Sequence, residues 1–519
     1  MGRMPRATRF DASRGLRSAL VVVFAGLLAA CSSPPESDGA SASTAPAGSM
    51  QLKVMEFNIE YGGEEVDFDG VVKAIEASDA DVVGIEEGYG NMPKVAAGLD
   101  WPYYDASTQI VSRYPLFDPP DSKGLYTLVE ARPGRFAAIG NVHLPSTRYG
   151  PFQIAREGAS AKDVEAIDEQ LRVPAARPTI DALSRLMEQD IPTFLVGDFN
   201  EPSHLDWTKE AVGVRKHVEF PVDWPVSEAV AAAGFQDSYR VVHPDPVVDQ
   251  GLTWPASRPF VKGYNPGPNG APADRIDFVY AGGPAKVTAS VLVGEEGGEG
   301  VDVPVAPWPS DHRATVSTFE VTPATAPAFV AVEQRLVDVG DDVRIGYSSE
   351  SGGGRVVVVP EGGDPATDAI AERPTNGTAG GGTVAVSTTG WDPATYEAVL
   401  LDASGAVVSR IPFWVREPGA PPEIATEKPS YGEGDPIHVD WRLAPGNRFD
   451  WIGIYRRGAD PNVAYYIMWD YTGATVEGSA VFDEDAHGPW PLKPGKYSVY
   501  LLQDDSYDKL AGGDFAVRG

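Results

Sequence analysis

The segment Gly340-Asp341-Asp342-Val343-Arg344-Ile345 returns 94 positions later as Gly434-Asp435-Pro436-Ile437-His438-Val439. The segment Pro393-Ala394-Thr395-Tyr396-Glu397-Ala398-Val399-Leu400-Leu401 returns 101 positions later as Pro494-Gly495-Lys496-Tyr497-Ser498-Val499-Tyr500-Leu501-Leu502. Each copy closes on an aromatic strand, 413–415 and 515–517. A repeat of this length means that one fold is used twice. Short apolar alternations cut by glycine and proline, with little helical periodicity, make that fold a β-sandwich. Two all-β units are therefore expected at 327–416 and 422–519, hinged at the proline-containing stretch 418–422.

The chain ahead of the repeat reads differently. Runs at 54–58, 81–85, 136–144, 193–196, 275–280 and 286–293 have strand character. Residues 71–76 and 178–189 have helical spacing, the latter with Ile180, Leu183, Leu186 and Met187 on one face. Strands interspersed with helices point to an α/β domain over 51–322, ended by the unperiodic stretch 322–327. Residues 1–31 have the form of an export signal: arginines first, then an apolar run at 20–30 too short to span a bilayer. The run ends Leu28-Ala29-Ala30-Cys31, and Cys31 is the one cysteine of the chain, so no disulfide can form. These residues resemble the lipobox of bacterial lipoproteins. The resemblance implies lipidation at Cys31, anchorage to the membrane and an extracytoplasmic place in the cell envelope; an ordinary secretory signal with an incidental cysteine is the alternative. Residues 32–50, rich in Ser, Ala and Pro, suit a flexible tether.

Charge narrows the partners. The 519 residues carry a net charge of −32. Five arginines and one aspartate give the first thirty residues +4, so removing the signal leaves −36. That balance argues against stable, broad nucleic-acid binding, which rests on neutralising many phosphates.

Within 51–322, polar residues stand where apolar strands end. Asn58 closes MEFN, Glu86-Glu87 follows 81–85, and His143 ends AAIGNVH. Asp198 and Asn200 follow the strand in FLVGDFN, Asp277 lies in DRIDFVY, and Asp311-His312 closes PSDH. Each one alone is more simply a turn former or a structural polar residue. Together, in this order and with Ser112-Arg113-Tyr114-Pro115, they resemble the endonuclease/exonuclease/phosphatase superfamily of DNase I-like folds. The second sandwich, with Asp450-Trp451-Ile452-Gly453-Ile454-Tyr455 and Pro494-Gly495-Lys496-Tyr497, resembles the immunoglobulin-like fold of SKICH-type domains.

The first resemblance implies a four-layer α/β-sandwich and a metal-dependent phosphoesterase that works by in-line attack of water. Glu87, Asn58 and Asp311 would form an oxygen-rich site for Mg2+, or Mn2+ in its place. Asp198 would orient or deprotonate the water, and Asn200, His143 and His312 would contact phosphoryl oxygens. Asp277 would orient the His312 imidazole. The family's usual Gln-Glu pair is Glu86-Glu87 here, so Glu86 adds a charge that either strengthens cation binding or faces solvent. The expected substrate is a lipid, sugar or nucleotide phosphoester, and the expected state is a monomer. An extracellular DNase I-like nuclease and a surface binding protein with an inactive enzyme domain are the alternatives.

Other features are equivocal. His204 and Asp206 fit a capping turn somewhat better than a pocket rim. Trp254 fits either a substrate loop or the core. Residues 157–172 read as a charged, solvated helix or lid, and the six tryptophans beyond 325 read more readily as sandwich core than as a sugar site.

Overall fold

The computed structural model describes residues 48–259, 272–349, 352–375 and 380–519. The export segment, Cys31 and the tether up to residue 47 lie outside the described residues.

Two sheets form the N-terminal half. The first has seven strands, in the order Val303–Val305, Ala285–Glu295, Ala314–Val321, Met50–Asn58, Val82–Glu86, Ile110–Ser112 and Tyr103–Asp105. The second has six: Leu116–Phe117, Thr127–Arg132, Arg135–His143, Thr193–Asp198, Asp277–Gly282 and Gln236–Asp237. Successive strand residues point to opposite faces, and both faces here are apolar. Leu52, Val54, Val82 and Ile110 meet Ala137, Ile139, Phe194 and Val196 between the sheets. Met55 and Phe57 point the other way, onto Val71, Ala74 and Ile75 of the helix Phe68–Ser78. Ala138, Leu195 and Phe278 lie under Ala176, Ile180, Leu183 and Leu186 of the helix Ala161–Met187. The result is the expected four-layer sandwich, helices outside and sheets within.

The segment expected as a solvated helix or lid, 157–172, is helical from residue 161 onward, as the opening of Ala161–Met187, which runs unbroken through Pro174 and Pro178. Ser160 caps this helix, its hydroxyl accepting from the Asp163 amide while Asp163 accepts from the Ser160 amide. The charged composition misleads because Asp168 and Arg172 pair with each other in full burial, one turn apart. Arg172 Nη2 also donates to the Thr147 carbonyl at 3.0 Å, tying the helix to the loop after His143.

The sequence repeat is a repeat of topology. In the first copy a three-stranded sheet (Phe329–Val332, Asp342–Ser349, Gly380–Ser387) faces a five-stranded one (Leu336–Asp338, Val407–Arg416, Ala394–Leu401, Arg355–Pro360, Ala371–Pro374). The second copy has the same order: Glu423–Thr426, Ile437–Arg442 and Gly478–Phe482 face Ser430–Gly432, Lys509–Arg518, Gly495–Leu502, Trp451–Arg456 and Met468–Tyr471. Of the six tryptophans, Trp441 and Trp451 are buried, while Trp391, Trp414, Trp469 and Trp490 are half-buried.

Both sandwiches dock on the α/β half. Phe329 of the first joins Phe117 and Phe136 in one aromatic cluster, ring centroids 5.8 and 5.7 Å away. Gly346 is required there, since a Cβ would stand 1.9 Å from Phe117 Cε1. Arg335 pairs with Asp118 at 2.5 Å. The second copy docks by Asp504, which accepts from the Gly90 amide at 2.6 Å and from Gln109 Nε2 at 3.3 Å. Its Arg448 donates to the Ala106 carbonyl through the backbone and to the Gly124 carbonyl through the guanidinium.

Candidate active site

Strand register assembles the site. Arg135–His143 and Thr193–Asp198 run parallel with His143 opposite Asp198, and Asp277–Gly282 runs antiparallel with Asp277 opposite the same Asp198. These three polar groups thus stand side by side on one sheet edge. On the facing sheet, Met50–Asn58 and Val82–Glu86 run parallel with Asn58 opposite Glu86. Asn58 Nδ2 crosses between the sheets and donates to Asp198 Oδ2 at 3.1 Å.

The chain turns sharply just past both edges. Glu87 and Asn200 have φ of 53° and 47°, in the left-handed region that side chains other than glycine seldom adopt. At Asn200 the strain is held by a closed loop of bonds: its amide donates to Asp198 Oδ1 at 2.8 Å and its Nδ2 to the Leu144 carbonyl at 3.1 Å. Glu87 Oε2 accepts from the Tyr61 amide at 2.9 Å, and Oε1 lies 3.5 Å from Asn58 Nδ2. His312 arrives from the segment before Ala314–Val321. Ser310 anchors that segment, its hydroxyl donating to the Asn58 carbonyl at 2.7 Å and accepting from the His312 amide at 3.0 Å.

All eight residues expected at the site converge on it. His312 Nδ1 sits 3.0 Å from Asp277 Oδ1, while Nε2 points to Asp198 Oδ2 at 3.9 Å and Asp311 Oδ1 at 3.8 Å. His143 Nε2 approaches Asp198 Oδ2 at 3.7 Å from the other side. Burial would lower the His312 pKa, but Asp277, Asp198 and Asp311 outweigh it and raise it well above 6.5. The three carboxylates thus favour the protonated imidazole. Burial raises Asp198, as does Asp277, against the two histidines and the Asn200 amide.

Other residues that sequence reading left ambiguous or missed belong here. Trp254 Nε1 donates to Asp311 Oδ2 at 3.3 Å, so this tryptophan is part of the site. Glu60, buried, accepts from the Asp311 amide at 3.0 Å and pairs with Arg258 at 2.5 Å. Burial, then Asp311, pushes the Glu60 pKa up to about 7 against the pull of Arg258. Glu86 does not face solvent. It is 1% exposed and lies against Glu56, itself wholly buried, and neither carboxyl finds a partner outside the pair. Burial, and the nearby Asp277 and Asp198, raise both pKa values well above 4.5 and favour the protonated forms. Their placement gave a sequence signal, since both alternate inward on apolar strands.

Several candidates lie elsewhere. Asp206 is buried and bonded to Arg240 and Arg275, which hold its carboxyl below the usual range despite burial. His204 Nδ1 meets Ser227 Oγ at 2.8 Å. Arg113 of the SRYP segment pairs at the surface with Asp79. Asp198, Asp277 and His312 also place ligand-type atoms within 4.8 Å of one another. Since His312 Nδ1 is committed to Asp277, that trio handles protons better than it holds an ion.

Residues 55–312 match the model of the Endonuclease/Exonuclease/phosphatase family. The chain is 29% identical over 310 residues to the uncharacterized protein F14F9.5 of Caenorhabditis elegans, covering 54% of this chain and 94% of that protein. Among solved structures, an endonuclease/exonuclease/phosphatase from Beutenbergia cavernae aligns at 16% identity and TM-score 0.32, over 70% of this chain and 99% of that one. A family protein from Bacteroides thetaiotaomicron aligns at 15% identity and TM-score 0.31, over 53% and 96%.

Proposed function

We propose that this chain, whose residues 55–312 form a domain of the Endonuclease/Exonuclease/phosphatase family, is a divalent-metal-dependent phosphoesterase. The observation that carries the reading is His312, held by Asp277 on one nitrogen and aimed at Asp198 with the other, beside Asn58 and Glu87 from the facing sheet.

The donor set of Glu87, Asn58 and Asp311 is carboxylate and amide oxygen without sulfur, and suits Mg2+ or Mn2+. Such an ion, when bound, offsets charge building on a phosphoryl oxygen. The side chains do the remaining work. Asp198 accepts the proton of the attacking water, whose oxygen forms a bond to phosphorus as the ester oxygen leaves opposite. His312, cationic through Asp277, and His143 donate to phosphoryl oxygens; Asn200 adds a neutral donor. Asp277 acts through His312 as a positioning residue. We also propose export and lipid anchorage at Cys31, which labelled fatty-acid incorporation tests: Cys31→Ser should abolish the label.

Hydrolysis of bis(p-nitrophenyl) phosphate tests the main reading. Turnover should require Mg2+ or Mn2+, vanish in EDTA and return on adding metal back. Equal turnover in EDTA would exclude metal dependence, and plasmid cleavage well above turnover of small phosphodiesters would favour a nuclease instead.

A further inference from the structure

The second β-sandwich reaches the catalytic edge. A cleft of about 640 Å³ has His143 and residues 144–147 on one side and side chains of the second sandwich on the other. Ring contacts run along it without a break. His143 meets Phe449 at 6.5 Å between centroids, Phe449 meets Tyr471 at 5.6 Å, and Tyr471 meets Trp469 at 5.1 Å. Trp469 then meets Tyr466 at 6.3 Å, and Tyr466 meets Trp451 at 5.4 Å.

The angles between these rings decide what the row suits. Successive planes are inclined by 89°, 57°, 83°, 64° and 76°, while His487 lies flat on one face of Trp469 at 4.5 Å, 15° between planes, and leaves the other face to the cleft. A base or sugar ring stacks on flat, coplanar faces; steeply inclined neighbours instead make the walls of a box. One carboxylate is set among them: Asp505, half-buried, accepts from Tyr471 Oη at 2.8 Å. Arg448 also lines the cleft, but its guanidinium is turned to the Gly124 carbonyl and lies against the Phe449 ring, 5.7 Å from its centroid, away from Tyr466 and Trp469. Electron-rich faces around a carboxylate favour a rounded, weakly hydrated cation. The box opens beside His143, where the phosphoryl group of the proposed reaction would lie.

We infer that the second β-sandwich completes the active site as its specificity wall, and that Tyr466, Trp469, Tyr471 and Asp505 receive an alkylammonium group carried on one ester arm of the phosphodiester. This rests on the phosphoesterase reading. The sandwich takes no part in bond breaking; it selects which ester is held in place.

The test compares p-nitrophenyl phosphocholine with p-nitrophenyl 3,3-dimethylbutyl phosphate, a neutral isostere of the same shape. Water attacks phosphorus and p-nitrophenolate leaves in both, so only the charge of the retained arm differs. The full chain should favour the ammonium ester in kcat/KM by tenfold or more, mostly through KM. Trp469→Leu and Asp505→Asn should bring the ratio towards one, and Trp469→Phe should restore part of it. A ratio near one in the unmodified chain, with bis(p-nitrophenyl) phosphate still cleaved, would overturn the inference and spare the phosphoesterase reading. Titration of tryptophan fluorescence with choline reads the box without turnover. Saturable quenching, lost in Trp469→Leu and absent with 3,3-dimethylbutanol, supports the inference even if no ester is hydrolysed. No quenching overturns it.

Discussion

His312 is held on Nδ1 by both oxygens of Asp277, at 3.0 and 3.2 Å, and Asp277 is the largest of the three carboxylate influences that favour its protonated form. Replacing Asp198 by Asn or His312 by Gln removes a proton acceptor or a cationic donor at the reacting centre. Each should lower kcat for bis(p-nitrophenyl) phosphate by roughly 10²–10⁴-fold with the thermal melt little changed. The buried Glu56–Glu86 pair gives the opposite kind of effect. Its folded pKa values lie above those of free glutamate, so the stability it contributes is complete at low pH and is lost as pH rises. Glu86→Gln should therefore melt higher than the unmodified chain at pH 8, with the gap closing towards pH 5. Scanning calorimetry across that range checks it. The eight motif residues were legible as a set: singly each reads as a turn former or a structural polar residue, but their order along the chain, mostly beside apolar strands, resembles one family's pattern. Glu60 and Arg258 were not, because their partners come from segments some two hundred positions apart in the chain and no local pattern marks them.

At the level of elements, the sheets were legible from alternation and the helix Ala161–Met187 only as two separate pieces, a helix at 178–189 and a solvated helix or lid at 157–172. Arg172 explains why: a charge inside the core has no apolar signature, and its compensating Asp168 sits one turn away on the same helix. Leaving such a charge unpaired is costly, so Arg172→Met should destabilise the chain by about 3–5 kcal/mol. Urea denaturation followed by circular dichroism measures it. The same substitution frees the Thr147 carbonyl beside the cleft, and KM should rise along with the loss of stability.

On the scale of the whole molecule, the repeat was legible as two copies of one fold, but their use was not. Docking depends on a few contacts such as Phe329 on Phe117 and Asp504 on Gly90, which follow no period. Asp504 offers a direct probe of that docking. Burial chiefly, with Asp450 and Asp505, raises its pKa from 3.8 to about 7. Its contribution is then full below about pH 4 and is lost as pH climbs through 7. Asp504→Asn should flatten the fall of the melting temperature between pH 5 and 8, unless the amide breaks its bonds to Gly90 and Gln109, which a lower melt at pH 5 would reveal.

The glycine at 346 lets the first sandwich seat directly on Phe117, and the second is fixed through Asp504 and Arg448. The proposed cleft wall is thus part of a sandwich tied to the α/β half at both Asp504 and Arg448, so selection there would need no closing motion, and turnover should be insensitive to solvent viscosity.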